Sequence, residues 1–289
     1  MANLEQIIAN KNASDTQWQH QQQAERENVT EMQNCGIEMI TTDSAQYFRY
    51  LTMQGDNPGY SAGNVAIVLA GLNGATMFGT RERWQSMGRT VLEEQQGQGV
   101  KIFARDPRTK AYALADAYDI SQTQGRDIKR RTLRENTEEM SSALSTLLNY
   151  SKAKLDIDKD LATPAYFDEQ SRELVINPDY LDEEAFASIA AEVALTRYHD
   201  KGYNRDYSWA RYELDAQSVS YILCRRYGIE PKAPNMERLV ERFSGMDIDE
   251  CKAVLDKMQD MSKQIGRSID LNIEAEKRKT RTAVRRPAR

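Results

Sequence analysis

From Ser188 to His199 the chain reads SIAAEVALTRYH, with Glu192 at the centre of apolar spacing that suits one face of a helix. A zinc-binding helix of this type places histidines one turn apart on either side of such a glutamate. Both imidazoles then face one metal, and the carboxylate activates its water. Here Ala191 and Leu195 stand at those two positions. Methyl and isobutyl groups do not coordinate zinc. The chain has only two histidines, His20 in a polar N-terminal stretch and His199, seven residues past Glu192. Seven residues at ~1.5 Å each put His199 about 10 Å along the axis, beyond the reach of metal bonds of about 2 Å. No metal and no cofactor are expected. Glu192 reads as a retained polar residue, paired with Arg197 or with a neighbour on the following helix. His199 reads as a surface residue suited to a helix C-terminus.

The 289 residues are enough for two domains of ordinary size, and 40% hydrophobic with 29% charged residues fits a soluble globular protein. The longest apolar run, Val65 to Ala70, is too short to span a bilayer. The start MANLEQIIANKN lacks the basic opening and apolar run of a signal peptide. Cys35, Cys224 and Cys251 are scattered, which implies reduced thiols and a cytoplasmic setting. Lys277–Arg289 holds seven of the 39 basic residues and none of the 44 acidic ones, so the rest of the chain carries 32 against 44. An acidic body with a basic tail suggests either a contact with polyanions or a solubilising terminus.

The elements that would position Glu192 can be read in outline. Residues 1–40 are polar and glutamine-rich, a flexible or frayed helix. SAQYFRYLT predicts a helix, and GDNPGYSAGN a turn-rich break. VAIVLAGL predicts a buried helix capped near Asn64, and RERWQSMG a short one. GVKIFAR and AYALADAYDI alternate and predict paired strands around Asp106-Pro107-Arg108. A basic cluster follows at Arg126, Lys129, Arg130, Arg131 and Arg134, where a domain boundary is expected. TEEMSSALSTLLNY places Met140, Leu144, Leu147 and Leu148 on one helical face. ELVINP predicts a strand, Asp182 caps a helix to about His199, and a further helix from about Tyr207 to Arg226 stops at Gly228. Two amphipathic helices are expected between Asn235 and Ile269. Trp84 and Trp209 read as core residues rather than base-stacking platforms.

The order of these motifs resembles a known family. YSAGN (60–64), RERWQSMGRTV (81–91), GVKIFARD (99–106) and AYALADAYDISQT (111–123) are similar to the N-terminal domain of ArdC-type antirestriction proteins. ELVINPDYLDEEAFASIAAEVALTRYH with YELDAQSVSYILCRRYGI (212–229) resembles the zincin-like peptidase domain that accompanies it, related to the ImmA/IrrE group. FSGMDIDECKAVLDKMQDMSKQI (243–265) fits versions carried on plasmids and integrative elements. The resemblance covers roughly residues 42 to 270.

It implies an α+β fold. A small α/β domain binding single-stranded DNA (41–128) precedes a mostly helical zincin-like domain with a short sheet (129–234). C-terminal helices (235–272) and a flexible basic tail (273–289) follow. By position, Glu192 matches the catalytic base and Asp215 the third metal ligand, while Ala191 and Leu195 break the site. Glu192 with Glu213 or Asp215 would suit a hard ion such as magnesium better, and two acids alone make a weak site. The DNA-binding candidates are Tyr60, Asn64, Arg81, Arg83, Arg89 and Lys101, assisted by Lys129, Arg130 and Arg131. The family's lysine-rich loop is replaced by LEEQQGQG (92–99), whose Glu93 and Glu94 repel phosphate. The leading reading is a non-catalytic, nucleic-acid-associated protein of a mobile element. The alternatives are a protein-interaction module that binds a host defence or replication factor, and an active metallopeptidase. The candidate partners are single-stranded DNA or a host protein, with no membrane and an oligomeric state left open.

Overall fold

The computed structural model describes residues 3–105, 111–200 and 207–284, with side chains through residue 279. The fold is α+β. The expected turn at Asp106-Pro107-Arg108 lies outside the described residues. The chain divides into two units, Met1–Glu38 with Ala66–Arg126, and Met39–Val65 with Asp127–Arg289. The later division falls in the basic cluster. The earlier ones fall inside helices, because α1 (Leu4–Thr42) and α3 (Ala62–Gly71) each run from one unit into the other, with α2 (Ser44–Asp56) between them. Where the sequence suggests a contiguous N-terminal domain from residue 41, the first unit joins residues 1–38 and 66–126. The polar N-terminal segment is a continuous helix whose exposed first turns lead to buried Val29, Ile37 and Ile40.

In the first unit a three-stranded antiparallel sheet is ordered β1 (Phe78–Thr80), β4 (Tyr112–Asp119), β3 (Val100–Arg105). The long strands are the alternating pair expected from the sequence. β1 and the antiparallel ribbon of β2 (Arg89–Val91) with β5 (Thr123–Gly125) have three residues each, too few to show a period. Helix α4 (Arg81–Ser86) buries Trp84, whose indole N–H donates to the Tyr118 carbonyl at 3.0 Å.

In the second unit α5 (Glu138–Tyr150) buries Met140, Ala143 and Leu147, and β6 (Lys154–Ile157), β8 (Glu173–Ile176) and β7 (Ala165–Asp168) form a mixed sheet in that order. α6 (Asp182–Asp200) packs on α7 (Trp209–Tyr227), which ends at Gly228 with φ 67°, the left-handed turn that glycine adopts without strain. α8 (Arg238–Phe243) and α9 (Ile248–Val284) follow. α9 presents Val254, Leu255, Met258, Met261, Ile265, Ile269 and Ile273 at helical spacing, all buried. The helix continues through residues 273–284, where a flexible tail is expected from composition alone.

Three local expectations are corrected. The Ser61 hydroxyl, not Asn64, caps α3, accepting the Asn64 N–H at 3.3 Å. The cap of α6 comes from Glu135, whose two carboxylate oxygens accept the N–H groups of Asp182 and Glu183 at 2.9 and 2.7 Å. These satisfy donors that a helix N-terminus leaves open. Trp209, the first residue of α7, is 43% exposed and no core residue.

Candidate functional site

α6 and α7, which pack on each other, carry every residue singled out for the metal site. Leu195 is 2% exposed within this helix pair, and Ala191 beside it is half-buried. The Leu195 isobutyl group is thus packed away from water.

Asp215, one helix away, is 1% exposed. Its two oxygens accept Nε and Nη2 of Arg242 at 2.7 and 2.8 Å, a fork-to-fork contact that uses both carboxylate oxygens. Burial pushes the Asp215 carboxyl up, and the guanidinium opposes this. Because arginine stays charged throughout the accessible range, the two form a buried ion pair. Tyr212 lies beneath Arg242, with the guanidinium carbon 5.8 Å from the ring centroid, and Tyr198 stacks on Tyr212 at 4.6 Å. Glu213 is engaged in a related way by Arg238 at 3.2 Å. The two arginines of α8, one turn apart, thus hold two acids of α7.

Glu192 pairs with neither Arg197 nor a side chain of α7. Its Oε2 accepts the backbone N–H of Phe167 on β7 at 2.9 Å, while Arg197 sits over the Tyr150 ring at 4.7 Å. Burial pushes the Glu192 carboxyl up to about 7, against the lowering effect of that N–H. Beside it the Tyr207 hydroxyl and Glu169 Oε2 are buried with no hydrogen-bond partner among the described residues. Burial first, then the Glu169 and Glu192 carboxyls, raise the Tyr207 phenol above its ordinary value. His199 is no plain surface residue: it lies edge-on to Phe167 and Tyr207, with centroids 5.5 and 4.9 Å apart.

The donor set does not fit a zinc ion. Two of its positions are hydrocarbon, the third is bound by a guanidinium, and the glutamate is held by a backbone amide. Among the described residues no three His, Cys, Asp or Glu side chains are grouped to hold a metal. The carboxylates that could have taken a hard cation, Glu213 and Asp215, each already carry an arginine.

The Glu192 carboxyl makes stability depend on pH. Its value in the fold lies above that of the unfolded chain, so the fold favours the neutral acid. This stabilisation is fully present below about pH 4.5 and is lost as pH rises through 7. Glu192→Gln keeps an acceptor for Phe167 and removes the charge. It should raise stability at pH 8 by about 1–3 kcal/mol relative to the parent and change little at pH 4. Urea unfolding of both proteins at the two pH values measures this. Parallel pH profiles would rule out a titrating Glu192.

The basic candidates divide between the two units. In the first, Arg81 and Arg83 are exposed on α4. Arg89 is spent on its own unit, donating to the Thr123 hydroxyl at 2.8 Å and to the carbonyls of Arg126 and Thr123 at 2.8 and 2.9 Å. Lys101 pairs with Asp116 at 3.1 Å, its partner across β3 and β4, and with Glu25 at 3.4 Å. In the second, Asn64 is buried and Tyr60 half-buried. Lys129 is exposed, Arg130 pairs with Asp56, and Arg131 pairs with Glu274. Sequence reasoning missed Arg242, Arg238, Tyr207 and Glu169. The spacing of Arg238 and Arg242 on one helical face was the available signal, but their partners lie 25 and 27 residues away.

Among the described residues no helix is long and apolar enough to cross a membrane. No family model matches the chain, and no curated protein does. Two crystal structures of the antirestriction protein ArdC from plasmid R388 are similar to it. The metal-free one is 14% identical, covers 74% of this chain and 85% of its own, and has a TM-score of 0.45. The Mn(II)-bound one is 16% identical, covers 84% and 97%, and has a TM-score of 0.47.

Proposed function

We propose that this chain is a non-catalytic antirestriction protein of the ArdC type, carried on a mobile element. Its peptidase-type helix pair serves as a scaffold, and it associates weakly with single-stranded nucleic acid. The fork between Arg242 and Asp215 carries the non-catalytic part: it occupies the carboxylate that a metal would need. The nucleic-acid part rests on the sequence resemblance and on the exposed Arg81, Arg83 and Lys129. A second reading, a module that binds a host protein, is favoured by the internal use of Arg89 and Lys101 and by the acidic balance outside the last 13 residues.

A titration of labelled single-stranded oligonucleotide across salt concentrations separates the two. Each phosphate contact should contribute a slope of about −0.7 in log K against log salt. Binding should be weak at low salt and vanish at high salt. Deleting residues 277–289 should weaken it and flatten the slope, because seven positive charges leave with them. A truncated chain that binds as tightly as the whole one would exclude a role for those charges. No binding by either at low salt would favour the host-protein reading.

A further inference from the structure

In the second unit a cleft of ≈ 340 Å³ opens beside Asp56, Arg130, Arg131, Arg226, Tyr227 and Asp270. It is built from the end of α2, the segment before α5, the last turn of α7 and the middle of α9. Its acids are already shared. Asp56, with a side chain 3% exposed, accepts Arg130 and also a fork from Arg225 at 2.9 and 3.1 Å. Asp270 receives Arg226 at 2.6 Å and lies 3.7 Å from Arg131 Nε. Asp56 and Asp270 thus meet four guanidiniums, while Glu274 pairs with Arg131 and the Glu139 carboxylate also acts on it.

Each guanidinium has five N–H donors in a fixed fork, more than these acceptors take up. Arg130 lends one N–H to Asp56, and its side chain, which lines the cleft, is 38% exposed. Arg226 is also set in place by its surroundings. It lies against α9 at Gly266, where any Cβ would collide with the guanidinium, and it spans the Tyr227 ring at 5.5 Å.

We propose that this cleft binds a phosphomonoester, with Arg130, Arg131 and Arg226 around the phosphate. A terminal phosphate is a dianion above about pH 6 and presents three oxygens, which matches three guanidiniums. A bridging phosphodiester has one charge and two free oxygens. A carboxylate has the same number and leaves most of the cleft unfilled. The whole cleft, at ≈ 340 Å³, lies at the small end of the range of small-ligand sites, the size of a mononucleotide rather than of a longer strand. The ligand is the 5′ end of a strand or a free mononucleotide. The site does not depend on whether the first unit binds a strand, so failure of the oligonucleotide titration above leaves this proposal standing.

The test is calorimetry of the full chain with inorganic phosphate, deoxyadenosine 5′-monophosphate and deoxyadenosine. The first two should compete for one site, and the nucleoside should not bind. Affinity for the nucleotide should be higher at pH 8 than at pH 5. Arg131→Gln should weaken nucleotide binding about tenfold or more, the scale of one charge-assisted hydrogen bond. Arg131→Lys should fall between, with circular dichroism verifying that both variants fold. Competition by a 5′-phosphorylated oligonucleotide assigns the site to strand ends, and competition by the mononucleotide alone assigns it to free nucleotides. The proposal is overturned if neither phosphate nor nucleotide binds the parent chain, if folded Arg131→Gln binds as the parent does, or if a 5′-hydroxyl oligonucleotide competes as well as its phosphorylated form.

Discussion

Arg242→Leu is expected to cost about 3–5 kcal/mol of folding stability, the largest effect of any single substitution in the helix pair and its partners. The variant leaves Asp215 at 1% exposure with neither of its two donors, and a buried carboxylate without a partner is far costlier than the pair was beneficial. The loss should shrink at low pH. Without the guanidinium the Asp215 carboxyl rises further above its unfolded value, so the neutral form is favoured and the penalty grows as pH increases. The double variant Asp215→Leu with Arg242→Met removes both charges and should recover most of the loss, because a buried pair contributes little beyond what an apolar pair can supply. Urea unfolding of the three proteins at pH 5 and pH 8 gives the comparison. An Arg242→Leu cost below about 1 kcal/mol would show that the carboxylate has water or another cation available, and the ion pair would lose its structural role.

Leu195→Ala is expected to cost about 2–4 kcal/mol. Leu195 is 2% exposed on α6, which packs on α7, and truncation removes apolar contact and leaves a void that the closely packed surroundings can only partly close. Ala191→Gly, at a half-buried position, should cost no more than about 1 kcal/mol, mostly through helix propensity. Thermal or urea unfolding measures both. A Leu195→Ala change under about 0.5 kcal/mol would mean that the helix pair is not packed around this residue. The two substitutions separate packing from chemistry, because neither side chain has a polar atom.

The elements around the site are readable wherever the signal is local. α6 and α7 follow from apolar spacing, and Gly228 from its place after α7, where a left-handed turn fits. β3 and β4 follow from alternation over six and eight residues. The unreadable part depends on residues far apart in the chain. Glu135 caps a helix that begins at Asp182. Arg242 reaches back to Asp215, and Phe167 supplies the amide for Glu192. No periodicity records such a pairing. In the sequence the acids of α7 look available for a cation because their arginines lie on α8, a helix of six residues whose own pattern is too short to reveal which face it turns inward. The division of the chain is hidden for a related reason: α1 and α3 are uninterrupted helices, and composition does not change where they pass from one unit to the other.

The proposal that the Glu192 helix pair serves as a scaffold without a metal is tested most directly by the metal content of the purified chain. The chain would be exposed to zinc and to manganese(II), freed of excess ion and analysed. Far less than one ion of either per chain is expected, with no change on Glu192→Gln or Asp215→Asn. One tightly held ion per chain, lost in either variant, would contradict it.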